Sequence, residues 1–113
     1  APYSIECTDP LTPATGAALR VEQDLMFKAG DKKSLPPGCY IVVKLDTNPQ
    51  LKGGEIVLVR FAGQQRMTLR QVILDGDRRI FKVLNPSYPL SPETDDGIAI
   101  IGVVVERIER TRL

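Results

Sequence analysis

The chain has 113 residues, 42% of them hydrophobic and 26% charged, which predicts one folded domain and excludes a disordered segment. Fifteen basic residues stand against fourteen acidic ones and Trp is absent, so the composition excludes an extensive nucleic-acid-binding surface on this chain. Without His and with only Cys7 and Cys39, the sequence predicts no metal or cofactor, and no apolar run is long enough to span a membrane. We predict two free thiols in a reducing cytosol, with a disulfide between them as the alternative.

The pattern of apolar and turn-forming residues is that of an all-β domain. Residues 1–16 are rich in Pro, Thr and Gly, which predicts an irregular arm, and we expect this arm to come from within a longer protein. Residues 17–113 predict the folded domain. We expect its strands, six or seven in number with little helix, at residues 17–22, 39–45, 55–63, 66–74, 78–85 and 98–108.

Glycine, proline and aspartate mark how these strands are connected. The link at residues 62–65 and the sequence Asp75-Gly76-Asp77 predict two hairpins. Gly102, in the middle of the last strand, predicts a bulge or a close approach of two backbones. The loop at residues 85–97 contains three prolines, which rules out regular structure over most of its length.

Six segments of the sequence occur in a recognisable order: LRVEQDLM, CYIVVKL, KGGEIVLVRF, MTLRQVI, LNPSYPL and IIGVVVERI. This order resembles the C-terminal domain of the LexA-like repressors, and most closely that of lambdoid phage repressors. The LNPSYPL stretch is similar to an Asn-Pro-x-Tyr-Pro loop between the last two strands of those repressors. The resemblance covers residues 19–108 and implies a compact, highly curved all-β fold.

Most members of that family cleave themselves with a serine–lysine dyad, and the resemblance implies where its two positions fall. The family serine follows the first strand in a Gly-x-Ser-Met type of motif, which corresponds to residues 23–26 (QDLM). The family lysine lies in an apolar-Thr-apolar-Lys pattern, which corresponds to residues 67–70 (MTLR). Leu25 has no nucleophilic atom, and Arg70 stays protonated and cannot act as a general base. The two positions therefore predict a domain that does not cleave itself.

Plainer interpretations of these two residues stay open. Leu25 is alternatively an apolar side chain packed at the end of a strand. Arg70 is either an ordinary cation on an exposed strand face or a buried guanidinium, which needs a carboxylate partner such as Asp24.

Other polar residues suggest chemistry with less support. A different nucleophile requires a serine beside a desolvated base, and Ser34 lies next to two lysines that a polar loop would keep charged. The acidic residues at 93, 95 and 96 suggest calcium, but they lack the spacing of an EF-hand and are typical of a solvated turn. The candidate serines are Ser4, Ser34, Ser87 and Ser91.

The last strand and two loops are candidates for contacts between copies of the chain. The resemblance implies that the last strand and its flanks form the dimer contact. It also implies that surfaces near the Asp-Gly hairpin and the Asn-Pro-x-Tyr-Pro loop help pairs of dimers to associate. A half-buried terminal strand is the alternative for the basic end ERIERTRL. The candidates are Val103, Val105, Arg107 and Ile108 for the dimer, and Asp75, Asn85 and Tyr88 for assemblies of dimers.

The sequence thus predicts the oligomerisation domain of a temperate-phage transcriptional repressor that maintains lysogeny in the bacterial cytoplasm. It resembles the non-cleavable repressors of the phage 186 type. Operator DNA would be bound by a helix-turn-helix domain upstream of residue 1, and we expect a phage antirepressor protein as the off-switch. Two alternatives remain, namely a self-processing serine peptidase with an unrecognised nucleophile and a ligand- or protein-binding module of another transcription regulator.

Overall fold

Seven strands form one sheet in a computed structural model, which describes residues 16–88, 93–94 and 97–108. The order across the sheet is β1-β2-β7-β3-β4-β5-β6, and every neighbouring pair is antiparallel. This confirms the predicted all-β class. None of the described residues forms a helix long and apolar enough to cross a membrane. The strands are β1 (Gly16–Arg20), β2 (Tyr40–Leu45), β3 (Ile56–Phe61), β4 (Met67–Asp75), β5 (Arg78–Lys82), β6 (Glu93–Thr94) and β7 (Ile98–Ile108).

The predicted strand positions agree with the structure to within a few residues, and the differences have local causes. β1 ends two residues earlier than predicted, because the chain turns at Pro37, which has no N–H, and at Gly38, which has a φ of +89°. Val21 still donates its N–H to the Cys39 carbonyl at 2.9 Å, but outside the regular ladder. Of the predicted irregular arm, Gly16 belongs to β1 and the other residues lie outside the described part of the chain.

Buried apolar side chains form two clusters, one on each face of the central strand β3. Ile56 and Leu58 belong to the first cluster, whereas Val57 and Val59, both without exposed surface, belong to the second. The run of four buried residues confirms the prediction of a strand buried on both faces. The first cluster also contains Leu19, Val21, Met26, Leu35, Ile41, Val43 and Leu84, and the second also contains Val72, Phe81 and Ile100.

Gly102 lies where three strands come together. A Cβ atom at this position would be 2.6 Å from the Lys44 carbonyl oxygen and 2.6 Å from Val43 Cγ1. The pairing of β7 shifts register against β3 between Leu58 and Val59, and against β2 between residues 42 and 43. Both parts of the prediction, a bulge and a close backbone approach, are therefore confirmed, and bulges of this kind curve a sheet.

Both predicted hairpins are present. Arg60 pairs with Met67 across the first, and Asp75 pairs with Arg78 across the second. The turn of the second hairpin begins with Gly76, whose φ of +62° suits the first central position of a type II′ turn. The sequence did not predict β6, a two-residue strand in the proline-containing loop, because two residues carry too little pattern to be recognised.

Candidate functional site

The turn that follows β1 places Leu25 against a cavity. Phe27 donates its N–H to the Asp24 carbonyl at 3.0 Å, which closes the turn, and Leu35 donates to the Met26 carbonyl at 2.8 Å. Met26 is only 2% exposed and belongs to the first apolar cluster, so it anchors the turn in the core. Leu25 is half-buried and lines the cavity. The alternative interpretation of Leu25, an apolar side chain packed at the end of a strand, therefore holds only in part, because part of this side chain is exposed.

Arg70, on β4, is a buried cation with 8% of its surface exposed. Its Nη1 donates to the Thr68 hydroxyl at 3.0 Å and to the Leu69 carbonyl at 2.8 Å. Its Cζ lies 5.2 Å from the centroid of the Phe61 ring, a cation–π contact that burial strengthens. The interpretation of Arg70 as an exposed strand-face cation is therefore wrong. A carboxylate partner for it stays a prediction.

Leu25 and Arg70 line the same cavity, which has a volume of about 530 Å³. The cavity lies between the end of β1 with its turn on one side and the β3–β4 hairpin on the other. Among the described residues that line it, the single hydroxyl belongs to Thr68, and this hydroxyl accepts a hydrogen bond from Arg70. A protonated guanidinium cannot remove a proton from a hydroxyl, so the described lining has no nucleophile paired with a base of the family's kind.

Neither of the two serines in the described part of the chain lines this cavity. Ser34 is buried, its hydroxyl accepts the Lys28 N–H at 2.9 Å, and it does not line the cavity. Ser87 is exposed, while Ser4 and Ser91 lie outside the described residues. Within the described ranges, no group of three or more acidic or cysteine residues could hold a metal ion. The residues suggested for calcium at 95 and 96 are not described.

The Asn-Pro-x-Tyr loop is fastened to the turn that carries Leu25. Asn85 donates its side-chain amide to the Asp24 carbonyl at 2.8 Å and its backbone N–H to the Leu25 carbonyl at 2.9 Å. The Asn85 side-chain oxygen accepts the Ser87 N–H at 2.9 Å, which forms an Asx turn. The Tyr88 hydroxyl donates to the Asp24 carboxylate. An asparagine before a proline predicts such a turn, but the sequence does not show that the side chain of this asparagine bonds to the distant Asp24 carbonyl.

The Tyr88 hydroxyl has a raised pKa because of its position at Asp24. The largest cause is the hydrogen bond to the Asp24 carboxylate, which stabilises the protonated phenol, and desolvation and the negative charge of the same carboxylate act in the same direction. Tyr88 is nevertheless 38% exposed at the surface. Its role as a contact between dimers stays a prediction, although its hydroxyl already has an intramolecular partner.

One of the predicted assembly contacts is largely buried within the chain. Asn85 is only 7% exposed and its side chain makes hydrogen bonds within the chain, and its part in contacts between dimers stays a prediction. Asp75 is exposed beside the second hairpin, at the Arg78 end of β5, whereas Asn85 follows the Lys82 end of that strand.

The predicted dimer residues on β7 differ in exposure. Val105 is 57% exposed, more than any other large apolar side chain described. Val103 and Ile108 are half-buried, and Val103 packs against the second apolar cluster. Arg107 donates from Nη1 to the Ser34 carbonyl at 2.5 Å, which ties the strand to the loop before β2. Val105 is therefore the candidate most available to a second copy.

The comparisons with known proteins agree with this architecture. A model of the Peptidase S24-like family matches residues 2–105. The chain is 38% identical over 91 residues to the HTH-type transcriptional regulators for conjugative element R391 of Providencia rettgeri and for conjugative element SXT of Vibrio cholerae, covering 80% of this chain and 41% of each regulator. It is 34% identical over 73 residues to Repressor protein C2 of Salmonella phage P22, covering 65% of this chain and 32% of that repressor. The chain thus spans about two fifths or less of these curated relatives. Because the family model matches nearly its whole length, the chain belongs to the Peptidase S24-like family.

Proposed function

We propose that this chain is the assembly domain of a transcriptional repressor and that it does not cleave itself. The observation that carries the proposal is that Leu25 and Arg70, at the positions implied for the family's serine and lysine, line one cavity and supply neither nucleophile nor base. The relatives are named as a phage repressor and as HTH-type regulators of conjugative elements, which supports the regulatory role.

The function of such a domain is thermodynamic. When two DNA-binding domains are joined through a shared domain, binding of the first one to its half-site raises the effective concentration of the second one at the other half-site. A two-fold symmetric dimer also matches a palindromic operator. The helix-turn-helix heads would lie upstream of residue 1, and the exposed Val105 of β7 is the proposed centre of the dimer contact. Association of dimers through further surfaces would extend this cooperativity to separate operators.

A repressor that does not cut itself needs another way to be released from DNA. We infer a protein antirepressor that binds the intact repressor, in a bacterial cell that carries the phage or mobile element. The same observation at Leu25 and Arg70 motivates this partner, because loss of cleavage removes the usual route of induction in the family.

Resistance to cleavage is tested with the full-length repressor. Incubation with activated RecA and ATP is expected to leave the protein uncut, while a LexA-like repressor with both serine and lysine, present in the same tube, is cut. Prolonged incubation at alkaline pH, followed by mass spectrometry, is expected to return the intact mass. Cleavage in either experiment would contradict the proposal and favour the alternative of a self-processing peptidase with another nucleophile.

Self-association is tested on the 113-residue chain by sedimentation equilibrium. We expect a reversible dimer at micromolar concentrations, with larger assemblies at higher concentration. A strict monomer at high micromolar concentration would remove the assembly role. It would leave the second alternative, a ligand- or protein-binding module of another transcription regulator.

A further inference from the structure

The cavity that contains Leu25 and Arg70 borders an edge of the sheet. β4 pairs with β3 from Met67 to Gln71, but β5 pairs with β4 only from Gln71 onward. Within the described strands, residues 67–70 therefore have a neighbour on one side only. All four of these consecutive residues line the cavity, which places the cavity along the strand edge rather than over one face. An edge of this kind can accept an extended segment through main-chain hydrogen bonds.

The charged residues around the cavity are mostly arginines. Arg20, Arg66 and Arg70 line it together with a single acidic residue, Glu22, which gives a formal excess of two positive charges. Arg20 and Arg66 are exposed, so they can turn toward an incoming group, whereas Arg70 is held in the wall. Since the whole chain has a net charge of only +1, this local excess is a property of the cavity. It favours an anionic occupant.

Apolar side chains make up much of the remaining lining. Leu19, Met26 and Leu58 come from the first core cluster, and Leu25 and Met67 face the cavity beside them. A volume of about 530 Å³ lies in the range of cavities that bind specific ligands, about 300–1,000 Å³. The cavity can therefore hold a few side chains of a peptide, some apolar and at least one anionic.

We propose that this cavity is the docking site for an extended acidic segment of another protein. One Asp or Glu side chain of the segment lies against Arg66 and Arg70, its apolar neighbours pack on Leu25 and Met67, and its backbone runs along the edge of β4. This inference rests on the proposed function, because it gives the inferred antirepressor a site and a chemistry. The position that would carry a base in a cleaving relative carries here a fixed cation that can bind a carboxylate.

The proposal is tested by selecting peptides against the chain. A random heptapeptide library displayed on phage is selected on the wild-type chain and, separately, on Leu25→Trp, whose indole fills part of the cavity. We expect enrichment of peptides that combine Asp or Glu with apolar residues, at least about tenfold weaker on the variant. No enrichment, enrichment without acidic residues, or equal enrichment on Leu25→Trp would overturn the proposal.

Matched variants distinguish peptide binding in the cavity from general effects of added charge or bulk on peptide binding. Leu74→Trp places the same indole at an exposed position of β4 that does not line the cavity, and it is expected to select the same peptides as wild type. With a selected synthetic peptide, Arg66→Gln should weaken binding at least about tenfold, with a smaller effect at high salt. Arg78→Gln, in the exposed hairpin, should leave it unchanged. Equal losses in Arg66→Gln and Arg78→Gln would show nonspecific attraction and overturn the site.

Circular dichroism and sedimentation are used to check that Leu25→Trp keeps the fold and the assembly state of the wild type, as we expect. The proposal of a docking site and the proposed function can then be contradicted independently of each other. A protein that dimerises and resists RecA but selects no acidic peptide loses only the docking site. A protein that selects acidic peptides but remains monomeric keeps the site and loses the assembly role.

Discussion

Asn85 and Asp24 are 61 residues apart in the chain, yet the Asn85 side-chain amide donates a hydrogen bond of 2.8 Å to the Asp24 carbonyl. The loop that carries the family resemblance therefore fixes the turn in which the family's nucleophile would stand. In this chain the turn presents Leu25 to the cavity, so the fastening helps to shape the cavity. This intramolecular role explains why Asn85 is buried.

Replacing Asn85 by Ala should lower the free energy of unfolding by about 1–3 kcal/mol. The substitution removes the side-chain bonds to Asp24 and Ser87 and leaves the buried groups without their partners. Urea denaturation followed by circular dichroism measures the change. Asn48→Ala, at an exposed position, is the matched control and should stay within about 0.5 kcal/mol of wild type. Equal small effects of the two variants would show that the fastening does not stabilise the fold.

Removing the Tyr88 hydroxyl should change how stability depends on pH at the alkaline end. The folded-state pKa of Tyr88 lies above its ordinary value of 10.0, so the stability it contributes is fully present below that pH and is lost as the pH rises through the folded pKa. Tyr88→Phe should therefore lose less stability than wild type as the pH rises above 10.0. Urea denaturation at each pH gives the comparison, and identical slopes for wild type and Tyr88→Phe would contradict it.

Local patterns were sufficient to predict most of the fold. The alternating and continuous apolar runs gave the strands, and Gly76 and Gly102 gave the hairpin turn and the bulge, because each of these signals lies within a few neighbouring residues. β6 was missed because a two-residue strand exists only through its pairing with Ile80 and Phe81 of β5. Its formation depends on tertiary contacts that no short window of sequence contains.

The site was only partly predictable, for a related reason. The positions of Leu25 and Arg70 followed from the resemblance, but their meeting at one cavity and the burial of Arg70 required the fold. The resemblance placed Asn85 near a contact between dimers, whereas its side chain is buried and bonded to Asp24. A polar residue whose partners are distant in sequence gives no local sign that it is buried.

Gly102→Ala should destabilise the protein strongly, by about 3 kcal/mol. The added Cβ would lie 2.6 Å from the Lys44 carbonyl oxygen, a backbone atom that cannot move without shifting β2. Ala99→Val, at an exposed position of the same strand, tests whether added bulk on β7 is costly in itself and should change stability by less than about 0.5 kcal/mol. Thermal and urea unfolding measure both variants. A Gly102→Ala protein as stable as wild type would contradict the close approach of the two strands.

Val105→Asp should weaken self-association at least about tenfold if β7 forms the dimer contact. Val105 is the most exposed large apolar residue described, so the charge should not disturb the monomer's core. Leu74→Asp makes the same kind of change at another exposed apolar position, away from β7, and is expected to leave the monomer–dimer equilibrium unchanged. Sedimentation equilibrium measures both variants. Loss of association in Leu74→Asp alone would move the contact to β4.

Restoring both dyad residues should create a reactive serine. In the double variant Leu25→Ser, Arg70→Lys, the new hydroxyl and the new amine would line the same cavity, and burial lowers the pKa of a lysine and so favours its neutral form as a base. Labelling by a fluorophosphonate probe should therefore exceed that of either single variant at least about tenfold and should increase from about pH 7 to about pH 9. Leu25→Ser alone leaves the serine beside a protonated guanidinium, which cannot activate it. Equal labelling of the single and double variants, with the fold intact by circular dichroism, would show that positions 25 and 70 are not the two halves of a degenerate dyad.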